Sequence, residues 1–144
     1  MTCIAWDGTT LAGDKRACNV GLARTVTKIH RAGDYIVGFA GDANVGVEMV
    51  EWVRSGMDRE KYPEIQKDKS ANVHLLVIDK DGSVMVYESG AYPVRFEDKF
   101  IAIGCGRDYA IAAMHCGRTA REAVEIACLY ETSCGNGVDT LRLR

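Results

Sequence analysis

Apolar positions along this chain come in short runs broken by Gly and Asp, and few of the runs are long enough for a helix. Thr2–Trp6 and Thr9–Ala12 flank Asp7-Gly8. Strand formers on both sides of Asp-Gly predict a hairpin, because this pair tolerates the positive φ of a two-residue turn. Such a turn pairs Trp6 with Thr9 and Thr2 with Gly13; a three-residue turn instead sets Asp14 across from Thr2 on the same face. In either register the chain start meets Asp14-Lys15-Arg16 at one end of one hairpin.

Lys15 to Arg24 reads as a polar, glycine-containing connection, and Arg24–His30 alternates as a strand. Ala32-Gly33-Asp34 turns the chain into Tyr35–Ala40, a short apolar run with the look of a buried strand. After Gly41-Asp42-Ala43-Asn44 the period changes: Val45, Met49, Trp52 and Val53 fall on one helical face up to Gly56. Asp58 to Ala71 is charged and reads as a solvated segment with one or two helical turns. Strands follow at His74–Asp79, Val84–Tyr87, around Val94–Phe96 and at Phe100–Ile103, with Asp81-Gly82 as a hairpin turn. Asp108–Cys116 is an Ala-rich helix stopped by Gly117. Thr119 and Glu122 have capping-box spacing before a second helix that buries Ala120, Ala123, Val124 and Ala127. Gly135-Asn136-Gly137 is a turn, and Val138–Leu143 a closing strand. Hairpins dominate this order, so the expected class is α+β, with mainly antiparallel sheets and helices on their outer faces.

Composition narrows the function more than the fold. The 144 residues suit one domain, 1–144, with a sizeable core. A formal net charge of -2 gives no basic surplus for nucleic acid or an anionic membrane. No signal peptide or membrane-spanning run is evident, so the expected location is the cytoplasm. The six cysteines, at 3, 18, 105, 116, 128 and 134, form no Cys-x-x-Cys, and His30, His74 and His115 complete no ligand set. Reduced thiols packed as small apolar groups are expected, with no metal and no cofactor.

Thr2 is the chemically interesting residue. If Met1 is trimmed, Thr2 carries both a hydroxyl nucleophile and a free α-amine as base. The amine's ordinary pKa of roughly 7.7–8.0 suits a base working near neutral pH. Many chains begin Met-Thr without using it, so Thr2 alone decides nothing. Gly41 lies where a strand runs into a helix; free N–H groups there suit a developing negative charge, although Gly-Asp at such a place is also an ordinary turn and N-cap.

Thr2, Gly13–Arg16, Thr25–Ile29, Gly38–Gly41 and Ala102–Gly106 resemble, in that order, the motifs of proteasome β-type subunits, and within them the HslV-like peptidases. These are N-terminal-nucleophile (Ntn) hydrolases. The resemblance spans most of the chain except Asp58 to Ala71, where the family has a long helix and this chain a stub. It implies a four-layer αββα sandwich and a threonine peptidase. By the same resemblance Thr2 is the nucleophile, Asp14 and Lys28 the charged pair beside it, and Gly41 the donor of the oxyanion N–H. Arg16 joins that ion network or serves structurally. Phe39 lines an apolar specificity pocket, and Cys18 falls where the family contacts the substrate backbone. Cys105 stands where the family has Ser, and Glu131 and Cys134 where it often has Asp and Ser to order the amine. Cys105 as an alternative nucleophile lacks a histidine with an evident claim to sit beside it.

The resemblance further implies a peptide or unfolded-protein substrate, homo-oligomeric rings around a chamber, and an ATPase unfoldase partner. Two other readings stay open: a small-molecule amidase on the same fold, and a catalytically silent shell or binding protein that retains Met1.

Overall fold

The computed structural model describes residues 1–64 and 73–143. In chain order its elements are β1 (Ile4–Trp6), β2 (Thr10–Asp14), β3 (Arg16–Asn19), β4 (Leu22–Thr25), β5 (Ile29–Ala32), β6 (Tyr35–Gly41) and α1 (Ala43–Arg54). After a 3-10 turn at Arg59–Lys61 come β7 (Val73–Ile78), β8 (Val84–Tyr87), β9 (Val94–Phe96), β10 (Ile101–Ile103), α2 (Arg107–His115), α3 (Ala120–Tyr130) and β11 (Val138–Arg142). One sheet has the order β10-β1-β2-β11 and the other β5-β6-β7-β8-β9, while β3 and β4 form a separate ribbon. Every pairing is antiparallel.

The layers follow from strand alternation. Ile4, Trp6, Leu11, Ile29, Ile36, Leu76 and Ile103 point between the two sheets. Their neighbours Cys3, Ala5, Ala12 and Ala102 point the other way, against Ala110, Ala113, Ala120, Ala123 and Ala127 of α2 and α3. On the far side α1 lays Val45, Met49, Trp52 and Val53 over Val37, Phe39, Leu75 and Val77. Small residues bring the α2–α3 pair close to its sheet. Large ones fill the space between the sheets, where each buried side chain contributes roughly 1.5–3 kcal/mol. The result is the expected αββα sandwich. Among the described residues, no helix is long and apolar enough to cross a membrane.

Three expectations change. The first hairpin takes neither expected register: Trp6 pairs with Leu11 and Ile4 with Gly13, and Asp7 N donates to the Thr10 carbonyl. The cause is Asp7, whose Oδ1 accepts from the Thr9 and Thr10 N–H groups and the Thr9 hydroxyl. An Asx-type turn thereby displaces the tight one. Its Oδ2 accepts from Ala120 N at 2.9 Å, tying this turn to the start of α3.

Lys15 to Arg24 contains the β3–β4 hairpin rather than a loop. Its tip, Val20-Gly21, has φ of 50° and 77°, and all four residues of β4 are exposed. With no buried face there was no apolar alternation to detect. The single strand expected over Arg24–His30 is broken between β4 and β5. There Val26 donates to the Lys15 carbonyl and Lys28 accepts from Phe39 N, so the chain passes from the ribbon to the second sheet and Lys28 is buried. The segment Asp58 to Ala71 does contain a helical turn, Arg59–Lys61; its residues 65–71 lie outside the described ones.

Candidate functional site

The register set by Asp7 puts Cys3, not Thr2, across from Asp14. Asp14 N donates to the Cys3 carbonyl, and Cys3 N returns a bond to Asp14 Oδ1 at 3.0 Å. Asp14 Oδ2 accepts from Arg16 N at 3.2 Å and Gly135 N at 3.1 Å. Into this nest of backbone donors comes Lys28 from the break between β4 and β5, its Nζ 2.8 Å from Asp14 Oδ1. The same ammonium donates to Thr2 Oγ1 at 3.2 Å and to the Met1 carbonyl at 3.1 Å. All three of its protons therefore have acceptors. Thr2, Asp14 and Lys28 are the buried polar side chains among the described residues, at 3%, 1% and 3% exposure. A desolvated ion pair of this kind is tolerable because every charge is matched by hydrogen bonds. Its positive end favours the deprotonated form of the neighbouring hydroxyl.

The opposite side of Thr2 is built from the turn after β10. Gly104 has φ +93°, and a Cβ there would lie 2.1 Å from the Thr2 carbonyl oxygen, so only glycine fits. This close approach lets Gly106 N donate to the Thr2 carbonyl at 3.1 Å. It also puts Cys105 Sγ 3.2 Å from Thr2 N, which donates to it. Beyond it, Cys105 Sγ meets Ser133 Oγ at 3.0 Å, and Ser133 Oγ donates to Glu131 Oε1 at 2.8 Å. Burial pushes the Cys105 thiol up, but bonds from the Met1 α-ammonium, Ser133 and Thr2 N, with the ammonium's charge, bring it below the ordinary thiol value. Glu131 is held below the usual carboxylate range chiefly by its two bonds from Ser133.

A cleft of about 710 Å³ opens over Thr2 and Lys28, lined also by Met1, Cys18, Phe39 and Gly41. A second, of about 620 Å³, is lined by Phe96, Phe100, Ile103 and Cys105 and shares Met1 and Gly41 with the first. Gly41 ends β6 at φ +123°, and Asp42 caps α1 by accepting from Asn44 N and Val45 N. Met1, which precedes Thr2, has 64% of its surface exposed. Among the described residues there is no group of three or more His, Cys, Asp or Glu able to hold a metal.

No family model matches the sequence, and no curated protein sequence matches it. Solved structures do. Thiobacillus denitrificans BPH in complex with epoxomicin superposes with a TM-score of 0.73 at 18% identity, covering 100% of both chains. Another structure of Thiobacillus denitrificans BPH gives 0.72 at 19% identity, and eukaryotic HslV from Trypanosoma brucei 0.72 at 20%, each covering 99% of this chain and 98% of the other. The chain has an HslV-like fold.

Within this HslV-like fold the residues singled out from the sequence fall into two groups. Cys105, Thr2, Lys28 and Asp14 form one chain of direct contacts in that order, and Gly41 faces the same cleft. Arg16 contributes its backbone N–H to Asp14. Its guanidinium turns away from the ion pair, to Asn136 Oδ1 at 2.9 Å and the Thr132 carbonyl at 2.7 Å, and braces the turn after α3. Glu131 reaches the site through Ser133. Cys134 points into the helix layer, 1% exposed, with its Sγ 3.9 Å from that of Cys105. Cys18 is exposed at the cleft rim. Phe39 is 2% exposed, stacked 6.2 Å from His30 and pressed on Gly46, so it offers the cleft little surface.

Ser133 was not among the sequence candidates. One residue before Cys134, it bridges Cys105 and Glu131, because α3 ends at Tyr130 and its C-cap Glu131 accepts from Ser133 N and Oγ. The available signal was Glu-x-Ser at a helix end, a local side-chain-to-backbone motif.

Proposed function

We propose that this chain is a threonine-type peptidase whose nucleophile is Thr2 after removal of Met1. The observation that carries the reading is the buried Lys28 ammonium within hydrogen-bond distance of both Thr2 Oγ1 and Asp14 Oδ1. Removing Met1 turns the Thr2 nitrogen into an α-amine beside Cys105 Sγ. Thr2 Oγ attacks the substrate carbonyl, and its proton passes to the amine, whose ordinary pKa of roughly 7.7–8.0 leaves part of it free near neutral pH. Lys28 lowers the cost of the alkoxide, and the Gly41 N–H receives the oxyanion, a contact typically worth about 3 kcal/mol. The tetrahedral intermediate expels the amine half of the peptide, which leaves with the proton. Water then hydrolyses the Thr2 ester by the reverse sequence.

On this reading the substrate is a peptide or unfolded protein, and the chain assembles into rings around a chamber, fed by an ATPase unfoldase in the cytoplasm. The HslV and BPH structures support that assembly by likeness of fold.

Thr2→Ala is expected to abolish peptide hydrolysis while circular dichroism stays native; retained hydrolysis ends the reading. Epoxomicin, present in the BPH structure, is the probe to use, and its adduct should map to Thr2. The silent alternative requires Met1 to stay on Thr2, and the observation that favours it is that Met1 lines both clefts and so would block them. Intact mass discriminates between the two: loss of one methionine favours the peptidase, and retention disfavours it.

A further inference from the structure

Four of the six cysteines gather in the layer between the first sheet and α2–α3: Cys3, Cys105, Cys128 and Cys134. Burial pushes the Cys3 thiol up to about 12 and raises those of Cys128 and Cys134, so these three stay protonated. Cys105 differs in lining the 620 Å³ cleft, and its sulfur is in contact with Cys134 Sγ at 3.9 Å. A disulfide needs about 2.05 Å between sulfurs, so the pair has to close by roughly 1.9 Å. Gly104 and Gly106 flank one partner, and Gly135 follows the other.

We propose that Cys105 and Cys134 are a thiol–disulfide site closed by hydrogen peroxide, and that its closure withdraws Cys105 from the Thr2 nitrogen. The Cys105 sulfur attacks one peroxide oxygen. The O–O bond breaks, hydroxide leaves and takes a proton to become water, and the sulfur, oxidised by two electrons, becomes a sulfenic acid. The Cys134 sulfur then attacks that sulfur; the S–O bond breaks and the departing hydroxide takes the Cys134 proton. Two thiols and one peroxide give one disulfide and two waters. A thiol reductant reverses the reaction. Cys105 Sγ holds Thr2 N at 3.2 Å and Ser133 Oγ at 3.0 Å; a disulfide sulfur has no S–H to donate and is a weaker acceptor than a thiolate, so closure weakens both contacts. The cross-link stands independently of the peptidase reading; only its effect on activity rests on that reading.

The test is peroxide treatment of the full chain, followed by peptide mapping under non-reducing conditions, with hydrolysis measured before treatment, after it and after dithiothreitol. The expected result is a chain lighter by two hydrogens, a linked pair of peptides bearing Cys105 and Cys134, and a hydrolysis loss of about 10²-fold that dithiothreitol restores. In Cys134→Ala the link is absent, and excess peroxide carries the unresolved Cys105 sulfenic acid on to sulfinic acid, a loss that dithiothreitol does not restore; Cys134→Ser serves where the alanine variant is unstable. Peroxide that oxidises the exposed Cys18 and Cys116 but leaves the Cys105–Cys134 link unformed overturns the site. A link that leaves hydrolysis unchanged overturns its action on Thr2. If the reduced protein neither hydrolyses peptides nor takes epoxomicin, the peptidase reading fails, and the peptide map still decides the thiol pair.

Discussion

Thr2 is held from two sides by groups of opposite character. On one side the Asp14 carboxylate takes four donors, from Cys3, Arg16, Lys28 and Gly135, and is essentially without solvent. On the other, Cys105, Ser133 and Glu131 pass one hydrogen bond to the next, with a sulfur in the middle and partial exposure throughout. A fully buried charge admits one arrangement, because any other leaves it unpaired. A thiol is a weak donor and a weak acceptor, so the second side can rearrange cheaply. One side fixes where the hydroxyl lies; the other can adjust the nitrogen.

Breaking the charged side should cost most. Lys28→Met strands the Asp14 carboxylate with only backbone donors, and a loss of about 3–5 kcal/mol in urea unfolding is expected, together with loss of hydrolysis. A stable Lys28→Met protein would mean that the two sides do not differ in kind. Cys105→Ser should cost much less, within about 1 kcal/mol, while changing the rate and the pH dependence of hydrolysis. Equal destabilisation by the two variants would erase the contrast.

Asp7 sharpens the comparison, since it too is a carboxylate fed by backbone N–H groups, but it is partly exposed and has no cation. Burial raises its pKa, yet the bonds from Ala120, Thr9 and Thr10 outweigh this and hold it below the ordinary 3.8. The ionised form therefore stabilises the fold above 3.8, and that contribution is lost as pH falls through the lowered folded value. Asp7→Asn is expected to cost about 1 kcal/mol at neutral pH, and the gap to wild type should narrow below 3.8. A gap that stays constant into acid would show that the carboxylate's charge adds nothing.

Much of this was legible in the chain before any coordinates. Val45, Met49, Trp52 and Val53 share a helical period because α1 has one buried face, and Thr119 with Glu122 forms the capping box that their spacing suggests. Asp14 and Lys28 could be singled out by resemblance, but not why Lys28 turns inward: that depends on a break created by contacts with Lys15 and Phe39. The hairpin register escaped because Asp-Gly favours a tight turn in isolation, whereas Asp7 also answers to Ala120, distant in sequence. Ser133 escaped because its importance arises where a helix end meets a strand end. Local pattern identifies elements with a buried face, but not a site in which each partner comes from a different element.

The donors around Asp14 are separated from it by 11, 14 and 121 positions, for Cys3, Lys28 and Gly135. A growing chain on the ribosome can bring the first two together early, but the last arrives only after 121 further residues have been synthesised. Until then the carboxylate lacks part of its lining, and water can reach both it and the ammonium it faces. On the peptidase reading, the Thr2 hydroxyl is thus left unprimed during synthesis, and its arming coincides with the moment the turn bearing Gly135 docks.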